Sequence, residues 1–126
     1  MVGSRIIKPS FEHKDERGVF RELVTGSWKA INYAERKKGS IIGNHYHKNL
    51  SEIILVVTGS ANVTIKNVNT GQSETFHVKA GECFAVNPFE AHALLIKKDA
   101  IMVMFLSEAF DPNNKDLYNF EVLKKN

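Results

Sequence analysis

Within GSIIGNHYHKNLSEIILVVTG, residues 39–59, His45 and His47 are separated by one residue and Glu52 follows five residues later. Imidazole nitrogens and a carboxylate oxygen are the donors a borderline or hard divalent ion prefers. The period of a β-strand puts positions 43, 45 and 47 on one face, with the two histidines about 7 Å apart along the chain. Glu52 opens the next apolar run and can add an oxygen from the side. His92, at the head of a later strand, can add a third nitrogen. Three histidines and one glutamate suit Zn, Fe, Mn, Ni or Co without selecting among them. His77 reads as a solvent-facing strand residue, and His13 lies near the N-terminus away from the cluster.

The elements that must position these side chains are strands. IILVV (53–57) is β-branched and leads into Thr58-Gly59-Ser60, read as a turn. ANVTIKN (61–67) alternates apolar with polar, and Asn69-Thr70-Gly71 marks a hairpin. QSETFHV (72–78), CFAV (83–86), HALLIKK (92–98) and AIMVMFL (100–106) follow, with Lys98-Asp99 read as a turn between the last two. No segment before residue 108 has a helical period, and the tail DPNNKDLYNFEVL is polar with a few apolar anchors. Short strands at regular spacing predict an all-β barrel or sandwich. IILVV is apolar on both faces, so a second sheet, the N-terminal segment or another subunit is expected to cover it.

The chain has 126 residues, 43% hydrophobic and 25% charged, with a formal net charge of +3. That length suits one domain. The cations are scattered, which argues against a nucleic-acid partner. No apolar run is long enough to span a membrane as a helix, and the first residues lack the apolar core of a signal peptide. Cys83 is alone and forms no internal disulfide. A cytoplasmic location is the default expectation.

The spacing Gly39, His45, His47, Glu52, Gly59 matches the first motif of the cupin superfamily at every position, and the sequence resembles that superfamily. Gly81 and His92 keep the separation of the second motif, although Pro88 is displaced by one residue and the inner glycine is replaced. The resemblance implies a single cupin domain over residues 1–126, with a core barrel over about 28–107, N-terminal strands over 5–24 and a tail over 108–126. It also implies a divalent metal ion on His45, His47, Glu52 and His92.

Two further stretches narrow the resemblance. HKDERGVFREL (13–23) looks like the D-x-RG-x-F-x-E segment of dTDP-4-dehydrorhamnose 3,5-epimerases. WKAINYAERKKGSIIGNHYHK (28–48) resembles those epimerases and the dTDP-sugar 3,4-ketoisomerases, and GNHYHK resembles the metal-binding cupin domain of capsular polysaccharide enzymes. The implied substrate is a nucleotide-linked 4-keto-6-deoxy sugar, rearranged by removing a proton beside the ketone and stabilising the resulting negative oxygen.

In the 3,5-epimerases the histidine matching His45 is the base and no metal is needed; in the 3,4-ketoisomerases the residues matching His45 and His47 are implicated, with a tyrosine at the position of Tyr33. If an ion takes both histidines, Tyr33 or a hydroxide on the ion is the better base. Arg17 and Arg21 are candidates for the nucleotide's phosphates. Ile42 stands where the epimerases have arginine, and Ile53, Ile54 and Leu55 where they place a lysine. Glu52 replaces the glutamine usual in ketoisomerases. Each departure points toward a metal-binding cupin. A metallocupin dioxygenase, another small-molecule isomerase and a non-catalytic ligand-binding module are the alternatives. A homodimer is expected, because the outer face of IILVV is apolar.

Overall fold

The computed structural model describes residues 5–124. The described residues form nine strands: β1 (Phe11–Asp15), β2 (Gly18–Glu22), β3 (Ala30–Arg36), β4 (Ile41–Tyr46), β5 (Glu52–Asn67), β6 (Ser73–Lys79), β7 (Cys83–Val86), β8 (Glu90–Leu106) and β9 (Tyr118–Asn119). All pairings are antiparallel, and β1 and β2 form a small sheet of their own. The fold is an all-β cupin.

Two long strands hold the barrel together. The first part of β5 pairs with β7 on one side and with the last part of β8 on the other, and β3 continues that sheet beyond β8. The second part of β5 pairs with β6 and the first part of β8, and β4 and β9 continue that sheet. Both β5 and β8 therefore contribute to two sheets. The segments expected as turns at Thr58-Gly59-Ser60 and Lys98-Asp99 are instead corners inside continuous strands.

Gly59 makes the corner possible. Its φ is +83°, and a Cβ there would lie 2.2 Å from the Asp99 carbonyl oxygen. The β5–β8 register shifts three times between Val56 and Ala61. Bulges of this kind bend a strand without ending its pairing. The turn residues are real signals, but here they bend two paired strands together.

Ile54, Val56, Val63, Ile65, Phe84 and Ile96 are among the residues that fill the space between the sheets. Burying each such side chain contributes about 1.5–3 kcal/mol. Phe76 meets Phe84 edge-on, with centroids 5.3 Å apart. On the outside, Ile31 and Tyr33 of β3 and Val57 of β5 are exposed, and Ile53, Leu55, Val103 and Phe105 are half-buried beside them. The strand register makes this one apolar face, with Ile31 opposite Phe105 and Phe105 opposite Ile53. No helix among the described residues is long and apolar enough to cross a membrane.

Candidate metal centre and substrate cleft

His45 is brought to His92 by a bulge in β4. Gly43 pairs with Ala93 and His45 with His92, leaving Asn44 as the extra residue at φ +60°. Gly43, at φ +103°, lets the strands come this close, because a Cβ would sit 2.6 Å from the His92 carbonyl oxygen. His47 follows the strand's end, and its ring centroid lies 5.2 Å from that of His45. The shared face expected from strand alternation is present, and the rings converge to less than the spacing of their backbones. His92 lies 4.7 Å from His45 and 5.9 Å from His47, centroid to centroid.

Ligand nitrogens of the three histidines lie within 4.8 Å of one another. Glu52, at the head of β5, faces them from the other sheet. Its Oε1 is 3.4 Å from His92 Nε2 and 3.6 Å from His47 Nε2. The structure thus gathers the four residues of the expected ligand set.

Two of the rings are oriented from behind. His47 Nδ1 donates to the Asp116 carbonyl at 2.5 Å, and His92 Nδ1 to the Glu90 carbonyl at 3.1 Å. A ring that donates through Nδ1 presents its Nε2 to the centre, the arrangement typical of ligating histidines. Asp116 also caps the loop after His47. Its carboxylate accepts from the backbone N–H groups of Lys48 at 2.7 Å and of Asn49 and Leu50 at 2.8 Å. These bonds hold it below the usual carboxylate range, although its partial burial works the other way.

The charges around the centre are mutually dependent. Burial, with His92 and His47 adding to it, pushes His45 down to about 4, so it is neutral at pH 7. Burial would lower His47 as well, but Glu52 and the Asp116 carbonyl outweigh it and raise His47. Burial would raise Glu52, yet His47 and His92 pull it down to about 2. The carboxylate is ionised and has cationic or hydrogen-bonding partners on the histidine side only.

Two connected spaces meet at the centre. An outer cleft of 620 Å³ runs between β3, the loop after His47 and the C-terminal tail, with Lys29, Asn32, Leu50, Leu106 and Lys115 among its walls. An inner cavity of 160 Å³ lies deeper in the barrel, between Arg36, Ile42, Leu94 and Met102. His45, Glu52 and Met104 border both.

Three of the expected site residues lie elsewhere. Tyr33 is exposed on the outer face of β3, where its hydroxyl donates to Glu35 at 2.8 Å. The inward-facing residues of β3 are Asn32, Ala34 and Arg36, which line the two spaces. Arg17 sits at the turn of the N-terminal hairpin and pairs with Asp15 at 2.6 Å, while Arg21 of β2 pairs with Glu12 of β1. Neither arginine borders the cleft. His77 is exposed and bonded to Asn62, and His13 to Asp15, both apart from the centre.

Asp116, Asn44 and Arg36 were not singled out by the sequence reading. The Asn44 side chain accepts from the N–H groups of Val122 and Leu123 and donates to the Leu123 carbonyl, and its own carbonyl accepts from Phe120. The bulge that places His45 therefore also fastens the tail. An Asn in the middle of G-x-H is the one hint available, because Asn tolerates a positive φ.

The family of polysaccharide biosynthesis C-terminal domains matches residues 13–118. The chain belongs to this family. It is 27% identical over 111 residues to UDP-2-acetamido-2,6-beta-L-arabino-hexul-4-ose reductase of Pseudomonas aeruginosa, covering 84% of this chain and 30% of that protein. The capsular polysaccharide assembling protein CapF of Staphylococcus aureus is similar at 28% identity and a TM-score of 0.70, over 89% of this chain and 34% of CapF. dTDP-4-dehydrorhamnose 3,5-epimerase of Sulfolobus tokodaii shares the fold at 22% identity and a TM-score of 0.74, over 86% of this chain and 72% of the epimerase. The chain thus spans about a third of the length of the reductase and of CapF.

Proposed function

We propose that this chain is a metal-binding cupin that isomerises or epimerises a nucleotide-linked 4-keto-6-deoxy sugar for surface-polysaccharide synthesis. The convergence of His45, His47, His92 and Glu52 where the outer cleft meets the inner cavity carries this reading. The donor set fits a divalent ion such as Zn, Mn, Fe or Ni: three nitrogens from one sheet, one ionised carboxylate facing them from the other, and two rings held with Nε2 inward. These four residues would hold the ion, which when bound draws charge from a ligand oxygen.

The rest of the cleft suits a nucleotide sugar. Lys29 and Lys115 are the cations on its wall, and they replace Arg17 and Arg21 as the candidates for the diphosphate. Asn32 offers both a donor and an acceptor to sugar hydroxyls. Leu50, Leu106 and Leu117 give the cleft an apolar wall. In the ion's absence His45, neutral at pH 7, is the group able to accept a carbon-bound proton. The names of the reductase and of the epimerase, both acting on 4-keto sugars carried by nucleotides, support the substrate class.

A second reading is a non-catalytic binding module. It is favoured by the placement of Tyr33 outside the cleft and by the chain's spanning a third of two relatives. One experiment separates the two. The protein is incubated with dTDP-4-keto-6-deoxyglucose in deuterium oxide and followed by NMR. Deuterium entering beside the ketone, and lost in His45→Ala, supports the enzyme. Binding without exchange supports the module. Metal content near one equivalent, lost in the His45→Ala, His47→Ala double variant, tests the ion itself.

The outer apolar face of Ile31, Tyr33, Val57 and Phe105 is read as the contact with a second copy of the chain. Light scattering that gives a monomer at micromolar concentration would overturn the homodimer.

A further inference from the structure

The inner cavity is bordered by a cation that no carboxylate pairs with among the described residues. Arg36 ends β3 and faces inward by the same alternation that turns Tyr33 outward. Its Nε is buried and has no hydrogen-bond partner, and among the described residues no carboxylate lies within ion-pair distance of its guanidinium. The partly buried Arg5 shows the contrast. Its guanidinium is bonded to both oxygens of Glu90, at 2.8 and 2.9 Å, and to Glu74 at 3.1 Å. The same barrel thus satisfies one arginine with two glutamates and leaves the other open toward a cavity.

That cavity is otherwise nearly apolar. Ile42, Ile54, Leu94, Met102 and Met104 form its walls, and its polar groups are Arg36, His45, His92 and Glu52. Glu52 already faces His47 and His92. An apolar enclosure strengthens any interaction the guanidinium makes, and an unmet buried donor costs stability. At 160 Å³ the space holds about five waters' share of liquid volume, or one small planar anion. A guanidinium matches a carboxylate-like pair of oxygens through two parallel N–H bonds.

We propose that Arg36 is a ligand-binding residue, and that the inner cavity takes a small carboxylate or enediolate-like oxyanion between its guanidinium and the histidine centre. The inference deepens the sugar-isomerase reading and rests on it for the natural ligand, since an enediolate is the oxyanion such a reaction generates. The anion-binding property itself depends only on the cavity and on Arg36.

The test uses oxalate, a planar dianion, and its neutral analogue oxamide, with the full chain, by isothermal titration calorimetry. Titrations are run with EDTA and after loading with Mn. The wild type is expected to bind oxalate, and Arg36→Met to bind it at least ~10-fold more weakly, the effect of losing a charge-assisted hydrogen bond. Arg36→Lys, which keeps the charge without the fork, is expected to fall between them. Oxamide is expected not to distinguish wild type from Arg36→Met. The Tm of Arg36→Met is expected to be equal or higher, because the residue it removes has no partner. Wild type that ignores oxalate, Arg36→Met that binds it equally well, or a variant Tm lowered by more than about 5 °C would each overturn the proposal. A chain that takes up no Mn overturns the metal reading alone, because the Arg36 dependence is still measured in the EDTA titration.

Discussion

The two ends of the chain make opposite use of their residues. The N-terminal hairpin carries a recognisable motif, yet its arginines satisfy their own neighbours, Asp15 and Glu12, and border no part of the cleft. The C-terminal tail carries no motif, yet it walls the cleft, adds a short strand to β4 and holds His47 through Asp116. A motif shows what a segment resembles. Whether it serves the site depends on where the barrel puts it.

The tail's contribution is the easiest half of this contrast to break. Asn44→Ala removes three side-chain bonds to residues 122–123 and leaves a Cβ-bearing residue without a compensating amide at a positive φ. A loss of about 2–3 kcal/mol is expected, read as a fall in Tm of about 6–12 °C. Asp116→Ala frees the loop after His47 and removes the carboxylate that accepts from three backbone N–H groups. The Asp116 carbonyl that orients His47 remains in this variant but is less firmly placed, so metal affinity is expected to fall about 10-fold by competition titration, the low end for groups behind ligating histidines. If metal binding survives Asp116→Ala unchanged, the tail is packing and nothing more.

Acid should sharpen the picture at the centre. His45 has a folded-state pKa near 4, below its value of 6.5 in the unfolded chain. The unfolded state therefore takes up a proton first as pH falls, and stability drains away between about pH 6.5 and 4. In metal-free protein, His45→Gln should flatten the fall in Tm across that window. An identical pH profile for the two proteins would mean that His45 is not held neutral. Hairpin substitutions should do least. Arg17→Ala and Arg21→Ala break exposed pairs that solvent screens, so metal content and Tm should barely move. A large loss of metal in either variant would reverse the contrast.

The proposed ligand set was readable because strand period and motif spacing both constrain it. His45, His47 and Glu52 fall on adjacent strand ends, and His92 returns on the strand paired with β4. The strands were readable too, apart from the corners at Gly59 and Asp99. A glycine that ends a strand and a glycine that bends one look alike until the partner strand is known. Tyr33 exposes a different limit. Alternation separates Ile31 and Tyr33 from Asn32, Ala34 and Arg36, but does not say which set is inside. An apolar–polar rule would turn Tyr33 inward. Here β3 turns its polar set toward the cleft and the histidine centre, and its apolar set lies outside. The tail was opaque because its role rests on backbone groups and single polar side chains, which leave no period.

The route of β5 and β8 through both sheets also bears on how the protein folds. Glu52 pairs with Leu106 at one end of these strands, and Ile65 pairs with His92 toward the other. Of the proposed ligands, His45, His47 and Glu52 are close in sequence, but His92 comes from a much later strand. Bringing them together requires closing long loops, which is slow and entropically expensive. An ion bound by all four residues would thus act late, as a clasp on a barrel already closed rather than as a seed for it. Added metal should slow unfolding much more than it speeds refolding.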